Sequence, residues 1–167
     1  SSPAPPATAP AATLTVDEAI TLLADSDDDS CRVIRVVRSR GSIAHRIAYA
    51  AEMKRRGNER LAPSAAAAAS SEDRSAALLA AIRFYERALG VFCWVESTNP
   101  RWRRSGIDDS ELRLRRTPLS DGEEEEGREP PTPAQRDEVR AMRIACLQNI
   151  AEAALRMREF SLCVSAC

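Results

Sequence analysis

Apolar residues recur every three or four positions along three stretches of the chain, which is the spacing of one face of an α-helix. The first stretch covers residues 43–61, the second runs from Ala76 to about Val95, and the third covers residues 134–157. A further helix is predicted to begin at Phe160. Because an amphipathic helix must bury its apolar face against a neighbour, we expect these helices to pack in antiparallel pairs.

The part of the chain before residue 43 gives weaker signals. Residues 1–13 are rich in proline and alanine and predict a disordered tail. In residues 14–42 we expect a short helix over Leu14 to Leu23 and one possible strand remnant. That remnant is Cys31 to Val37, the only segment rich in β-branched residues, although a solitary strand could also be absorbed into a helix.

Two inserts interrupt the helical pattern. The alanine- and serine-rich stretch from Ala62 to Ser75 lies inside the first hairpin, which we place at residues 43–95. Residues 96–133 hold several prolines and the acidic run Glu123 to Glu126, and they predict a disordered insert. The second hairpin is placed at residues 134–167, and we expect it to be truncated within its last helix.

The composition argues against several classes of function. A formal net charge of -1 gives no basic field for nucleic acid, and no apolar run approaches the roughly 20 residues of a membrane span. Five cysteines without a CxxC pair and a lone His45 predict no disulfide framework, no metal site and no cofactor. Reduced, buried cysteines would fit the reducing cytoplasm. With one histidine, no catalytic triad can be placed, so we expect no enzyme.

Both hairpins carry large and small residues at positions where neighbouring helices would nest. In the first hairpin a glycine, Gly57, would allow the second helix to approach closely. The other members of the pattern in that hairpin are Met53, Ala81, Tyr85 and Ala88. In the second hairpin the corresponding residues are Leu147, Ile150, Ala151, Ala154, Phe160, Cys163 and Cys167.

The segments AAEMKRRGNERL, AIRFYERALGVF and AMRIACLQNIAEAALRMREFSLCVSAC resemble the tetratricopeptide repeat (TPR) domain of FKBP-type immunophilins and related co-chaperones. The resemblance covers roughly half of the chain and implies an all-α fold of TPR-like antiparallel hairpins, a fragment of an α-solenoid with long disordered inserts.

The resemblance also implies a binding site. Co-chaperones of this kind grip the last residue of a heat-shock chaperone's acidic tail with a carboxylate clamp. Its KxxGN motif matches Lys54, Gly57 and Asn58, and its second-repeat asparagine matches Asn149. Lys54 is the only lysine among the 24 basic residues, which draws attention to its position. The clamp's remaining lysine and arginine belong to a third repeat, so weak tail binding is expected of this chain.

These observations predict a protein-binding adaptor for the acidic tail of a ninety- or seventy-kilodalton heat-shock chaperone. Two alternatives stay open. The chain could be a TPR scaffold in a larger assembly without a clamp. It could also be a degenerate prolyl isomerase, because CRVIRVVRSRG resembles the strand that opens an FKBP-type domain.

Overall fold

The computed structural model describes residues 30–62, 70–99, 101, 106, 108–120, 123, 125 and 128–167. These residues form mainly helices. The helices are α1 (Ser30–Arg40), α2 (Ile43–Leu61), α3 (Ser71–Gly90), α4 (Pro133–Met157) and α5 (Phe160–Ala166). Between α3 and α4 lie two strands, β1 (Cys93–Ser97) and β2 (Leu112–Arg116), with a single 3-10 turn at Asp109–Glu111.

Helix α1 decides between the alternatives left open for Cys31 to Val37, because the segment is part of a helix and not a strand remnant. Val33 and Val37, one helical turn apart, are both buried in the core against α2 and α3. A helix places them on one face, whereas a strand of this length would have needed a partner to satisfy its backbone. Packing therefore overrides the weak β-propensity of the sequence.

Serine side chains start the next two helices. Ser42 accepts a hydrogen bond from the backbone of His45 and begins α2, and Ser70 caps α3 through Asp73 in the same way. Capping of this kind satisfies the backbone N–H groups that have no partner inside the helix. Helix α3 consequently begins at Ser71, inside the stretch we had assigned to the insert. It ends at Gly90, before the predicted limit at Val95.

The α2–α3 pair is held at close range by a glycine facing a tyrosine. A Cβ atom added to Gly57 would lie 2.6 Å from Cε1 of Tyr85. Real Cβ atoms do not approach a carbon so closely, so no side chain fits here unless the helices separate. This confirms the role expected of Gly57. Four further pattern residues of the first hairpin are fully or almost fully buried: Met53, Ala81, Tyr85 and Ala88.

Helix α4 packs against both helices of this pair. Thr132 forms its capping box with Gln135, and Pro133 occupies the first turn, where its missing N–H costs nothing. Its buried face is formed by Val139, Met142, Cys146, Ile150, Ala153 and Ala154. The predicted boundaries of this helix are confirmed to within one residue. Helix α5 packs on α4 but leaves Phe160 62% exposed.

β2 and the end of β1 correct the prediction of disorder in residues 96–133. β1 and β2 pair antiparallel, with Val95 opposite Leu114. The side chains of both residues are exposed, while Trp94 on the other side lies under the guanidinium groups of Arg38 and Arg46 at 5.1 and 5.3 Å. The fold is therefore helical with a small sheet added to it.

A buried arginine ties the following loop to α1 and α2. Arg46 is only 1% exposed, and its two terminal nitrogens donate to both carboxylate oxygens of Glu125 at 2.9 and 2.8 Å. It also donates to the Thr117 hydroxyl and to the carbonyl of Arg38. A planar guanidinium can satisfy such partners at once because its donors form a rigid fork. The acidic run is thus anchored at Glu125, where we had expected a solvated loop.

Arg128 completes this anchor. Its side chain donates to the carbonyls of Gly41 and Arg38, at the end of α1, and its Nε lies 3.2 Å from Glu125. Burial, together with the neighbouring charge of Arg46, lowers the pKa of Arg128. Carbonyls at a helix C-terminus carry partial negative charge, so a cation placed there is stabilising.

The cysteines differ from the buried set that we predicted. All four that the structure describes are free thiols, but Cys146 alone among them is buried, and Cys167 is exposed. The helix predicted at Leu14 to Leu23 and the disordered tail at 1–13 lie outside the described residues. The prediction of a helical fold is confirmed, and its assignment to TPR repeats stays a prediction. None of the described helices is long and apolar enough to cross a membrane.

Replacing Gly57 by alanine should destabilise the protein. The contact with Tyr85 would cost about 1–3 kcal/mol, and the better helix propensity of alanine would return at most about 1 kcal/mol. We expect a lower urea midpoint at an unchanged m value. Gly90→Ala is the matched control because its Cβ would meet Ile34 at an ordinary 3.9 Å. In a Tyr85→Ala background, Gly57→Ala should become neutral or stabilising, and an unchanged penalty there would refute the contact.

Removing Glu125 should release the loop. Glu125→Ala leaves the buried guanidinium of Arg46 without its carboxylate, and we expect a loss of about 1–3 kcal/mol in the free energy of unfolding. Backbone amides of β2 should also exchange faster with deuterium. The control is Glu129→Ala, an exposed carboxylate in the same loop, which should change stability by about 0.5 kcal/mol or less. Equal effects of the two variants would contradict the anchor.

Candidate functional site

Asn58 and Asn149, two of the three predicted site residues, lie in contact. Asn149 on α4 donates from Nδ2 to Oδ1 of Asn58 on α2 at 2.9 Å. The Tyr85 hydroxyl donates to the same Oδ1 at 2.8 Å. Three helices therefore each supply one polar side chain to a single cluster on the face shared by α2 and α4.

The tyrosine fixes the direction of the Asn58 amide. Burial raises the pKa of the Tyr85 hydroxyl to about 12, so this hydroxyl is protonated at neutral pH and can donate. With Oδ1 accepting two hydrogen bonds, the NH₂ group of Asn58 points away from Tyr85 and has no partner among the described residues. Asn149 keeps a second amide hydrogen beyond the one it gives to Asn58. The NH₂ group of Asn58 and the second amide hydrogen of Asn149 are therefore available as hydrogen-bond donors to a ligand.

Lys54 lies one helical turn before Asn58 on the same face of α2. Its positive charge lowers the pKa of the Cys146 thiol, which lies on α4 one turn before Asn149. Burial has the larger effect on this thiol and raises its pKa to about 11 overall. Lys54, Asn58 and Asn149 therefore occupy adjacent turns of two neighbouring helices.

The charge environment of Lys54 differs from that of its neighbours. No carboxylate lies within salt-bridge distance of its ammonium in the part of the chain that the structure describes. The next two residues, Arg55 and Arg56, both bind Glu52 at 2.8 Å, and Arg55 also contacts Glu59. These arginines hold the pKa of Glu52 at about 2, chiefly through the hydrogen bond from Arg55. One face of α2 is thus neutralised, while the cation on the other face has no carboxylate partner among the described residues.

Tyr85 has a part in this arrangement that its predicted packing position does not reveal, because its hydroxyl also orients Asn58. Cys146, which the residue pattern predicts only as a small apolar side chain, is close enough to Lys54 for the ammonium to lower its pKa. This proximity could not be predicted from spacing because it depends on how α4 crosses α2. An ammonium and two amide NH₂ groups on adjacent helical turns are groups that can bind an anion.

In comparisons with known proteins, no protein-family model, no curated protein and no solved structure matches the chain.

Thiol reactivity should report on the position of Lys54. Alkylation requires the thiolate, so Cys146 should react last of the four described cysteines and exposed Cys167 first. Replacing Lys54 by methionine removes the nearby positive charge, raises the pKa of Cys146 further and should slow its alkylation at a fixed alkaline pH. The alkylation rate of each cysteine can be measured by mass spectrometry of protein treated with iodoacetamide between pH 8 and about 10.

Arg55→Met is the control, since it removes the same charge from the paired face of α2. It should leave Cys146 alkylation unchanged. If Cys146 is alkylated at the same rate in the wild-type protein and in Lys54→Met, the ammonium does not lie near this thiol.

Proposed function

We propose that this chain is an adaptor that binds an acidic peptide by its C-terminal carboxylate, as a co-chaperone-like TPR module does. The partner on this proposal is the tail of a ninety- or seventy-kilodalton heat-shock chaperone in the cytoplasm. The main supporting observation is the contact between Asn149 and Asn58, with Lys54, which has no carboxylate partner among the described residues, one turn away. It supports a shared anion site built from two helical hairpins.

The donors fit the chemistry of a terminal carboxylate. An ammonium supplies a full positive charge on a flexible stem, and two amide NH₂ groups supply neutral donors. Hydrogen bonds to a charged acceptor are worth about twice those between neutral groups. The Tyr85 hydroxyl preorganises the site because it occupies the acceptor end of Asn58. A peptide therefore meets donors whose orientation is already fixed.

A second candidate function rests on the last helix. Phe160, Leu162 and Val164 of α5 are exposed, Val164 by 76%. Exposed apolar residues grouped on one short helix favour packing against another protein surface. The chain would then act as a scaffold in a larger assembly, without using the carboxylate site. The two functions differ in whether binding depends on a free C-terminus.

Peptide titration would test the adaptor function. We expect an acidic peptide with a free C-terminal carboxylate to bind weakly, with a dissociation constant of about 100 μM or higher, because one cation and two amides supply the contacts. The same peptide with a C-terminal amide should not bind measurably. Affinity should fall as salt rises, since the site is partly exposed. Isothermal titration calorimetry on the full chain would measure each of these.

Variants then assign the binding to its residues. Lys54→Met should abolish the dependence on the free carboxylate, while Arg55→Met, which removes a charge from the neighbouring paired position, should not. Equal binding of the acid and amide peptides would favour the scaffold. Tight binding that survives the loss of Lys54 would refute the adaptor.

A further inference from the structure

A second cationic region lies at the opposite end of α2 from its capping serine. A cavity of about 470 Å³ is bounded by the end of α2, the start of α3 and the end of α4, and four arginines line it: Arg60, Arg74, Arg156 and Arg158. Its volume is within the roughly 300–1,000 Å³ of pockets that bind small ligands. None of the site residues Lys54, Asn58 and Asn149 lines it.

The side chains that line the cavity carry an excess of positive charge. Arg156 pairs with Glu152 and donates to the carbonyl of Leu61 at 2.9 Å. Arg60, Arg74 and Arg158 have no carboxylate partner among the residues that the structure describes, and none of the lining side chains is acidic. Residues 63–69, which join α2 to α3, contain no acidic residue either. The chain has 25 acidic residues for its 24 basic ones, so this local excess is not a consequence of composition.

Two of these arginines occupy positions that disfavour arginine. Arg74 lies in the first turn of α3, where the helix dipole repels a positive charge. Arg158 has a φ of 63°, in the left-handed region where glycine commonly ends a helix. A backbone conformation of this kind at a non-glycine residue points to a role outside stability. Both residues nevertheless bring their side chains to the same cavity.

We propose that this cavity binds a phosphate monoester. Guanidinium groups from three helix ends, with the hydroxyls of Ser71 and Ser75 beside them, offer donors from several directions. The three terminal oxygens of a phosphate monoester can accept hydrogen bonds from several directions, whereas the two oxygens of a carboxylate lie in one plane. The cavity is larger than the phosphate group and its remaining wall includes Leu61 and Leu78, so it has room for the organic part of the ester.

The ester could be a small metabolite or a phosphorylated serine of a partner protein, and both present the same group. Calorimetric titration of the full chain should therefore use glycerol phosphate, a phosphoserine peptide and the same peptide without phosphate. Binding of both phosphate probes with similar affinity indicates a small-molecule ligand. Tighter binding of the phosphoserine peptide indicates a protein partner. Failure of both phosphate probes to bind would overturn the proposal.

Two variants separate binding from folding. Arg74→Glu replaces an unfavourable charge at the helix start by a favourable one, and Arg158→Gly relieves the left-handed conformation. Each should leave the thermal midpoint unchanged or raise it, and each should weaken phosphate binding by about tenfold or more. A destabilised protein could not produce this combination.

Arg83→Glu is the matched control, since it makes the same charge change at an exposed position in the middle of α3 that does not line the cavity. It should bind phosphate probes as wild type does. Wild-type affinity in both Arg74→Glu and Arg158→Gly would overturn the assignment of the cavity.

Discussion

The close contact between Gly57 and Tyr85 is the constraint on which most of this structure depends. It sets the distance between α2 and α3, because a Cβ atom on Gly57 would meet the ring at 2.6 Å. The same ring carries the hydroxyl that orients Asn58. Helix packing and the geometry of the proposed anion site therefore both depend on one residue pair, and a change in the packing alters the site.

Charge is distributed along α2 so that only selected cations stay unpaired. Glu52 binds the arginines that follow Lys54, and this keeps one face of the helix neutral. Lys54 on the other face, and Arg60 in the last turn, have no such partner within the described residues. The two regions that we propose as anion sites are thus local, and a nearly neutral chain has no general attraction for polyanions.

Features that depend on neighbouring residues could be predicted from the sequence, and features that depend on contacts between distant residues could not. The apolar periodicity predicted α2 and α4 because their buried faces repeat every turn. The family resemblance predicted that Asn58 and Asn149 belong to one site, and the two side chains are in contact. Local propensity left strand and helix open for Cys31 to Val37, and the burial of two valines decided for the helix. In β2 the alternation of leucine and arginine was a usable strand signal. The partner of Arg46 was not predictable, since nothing local distinguishes Glu125 from its acidic neighbours.

That buried pair has a consequence for the order in which the chain folds. Arg46 and Glu125 are 79 positions apart, and the α2–α3 pair can form without them. Closing so long a loop costs chain entropy that only later contacts repay. We infer that the helical pair forms early and that the sheet and its acidic loop join it in a late step. Because contacts that form late mainly affect the unfolding rate, conditions that weaken this ion pair would then speed unfolding and leave the formation of the helical pair unchanged.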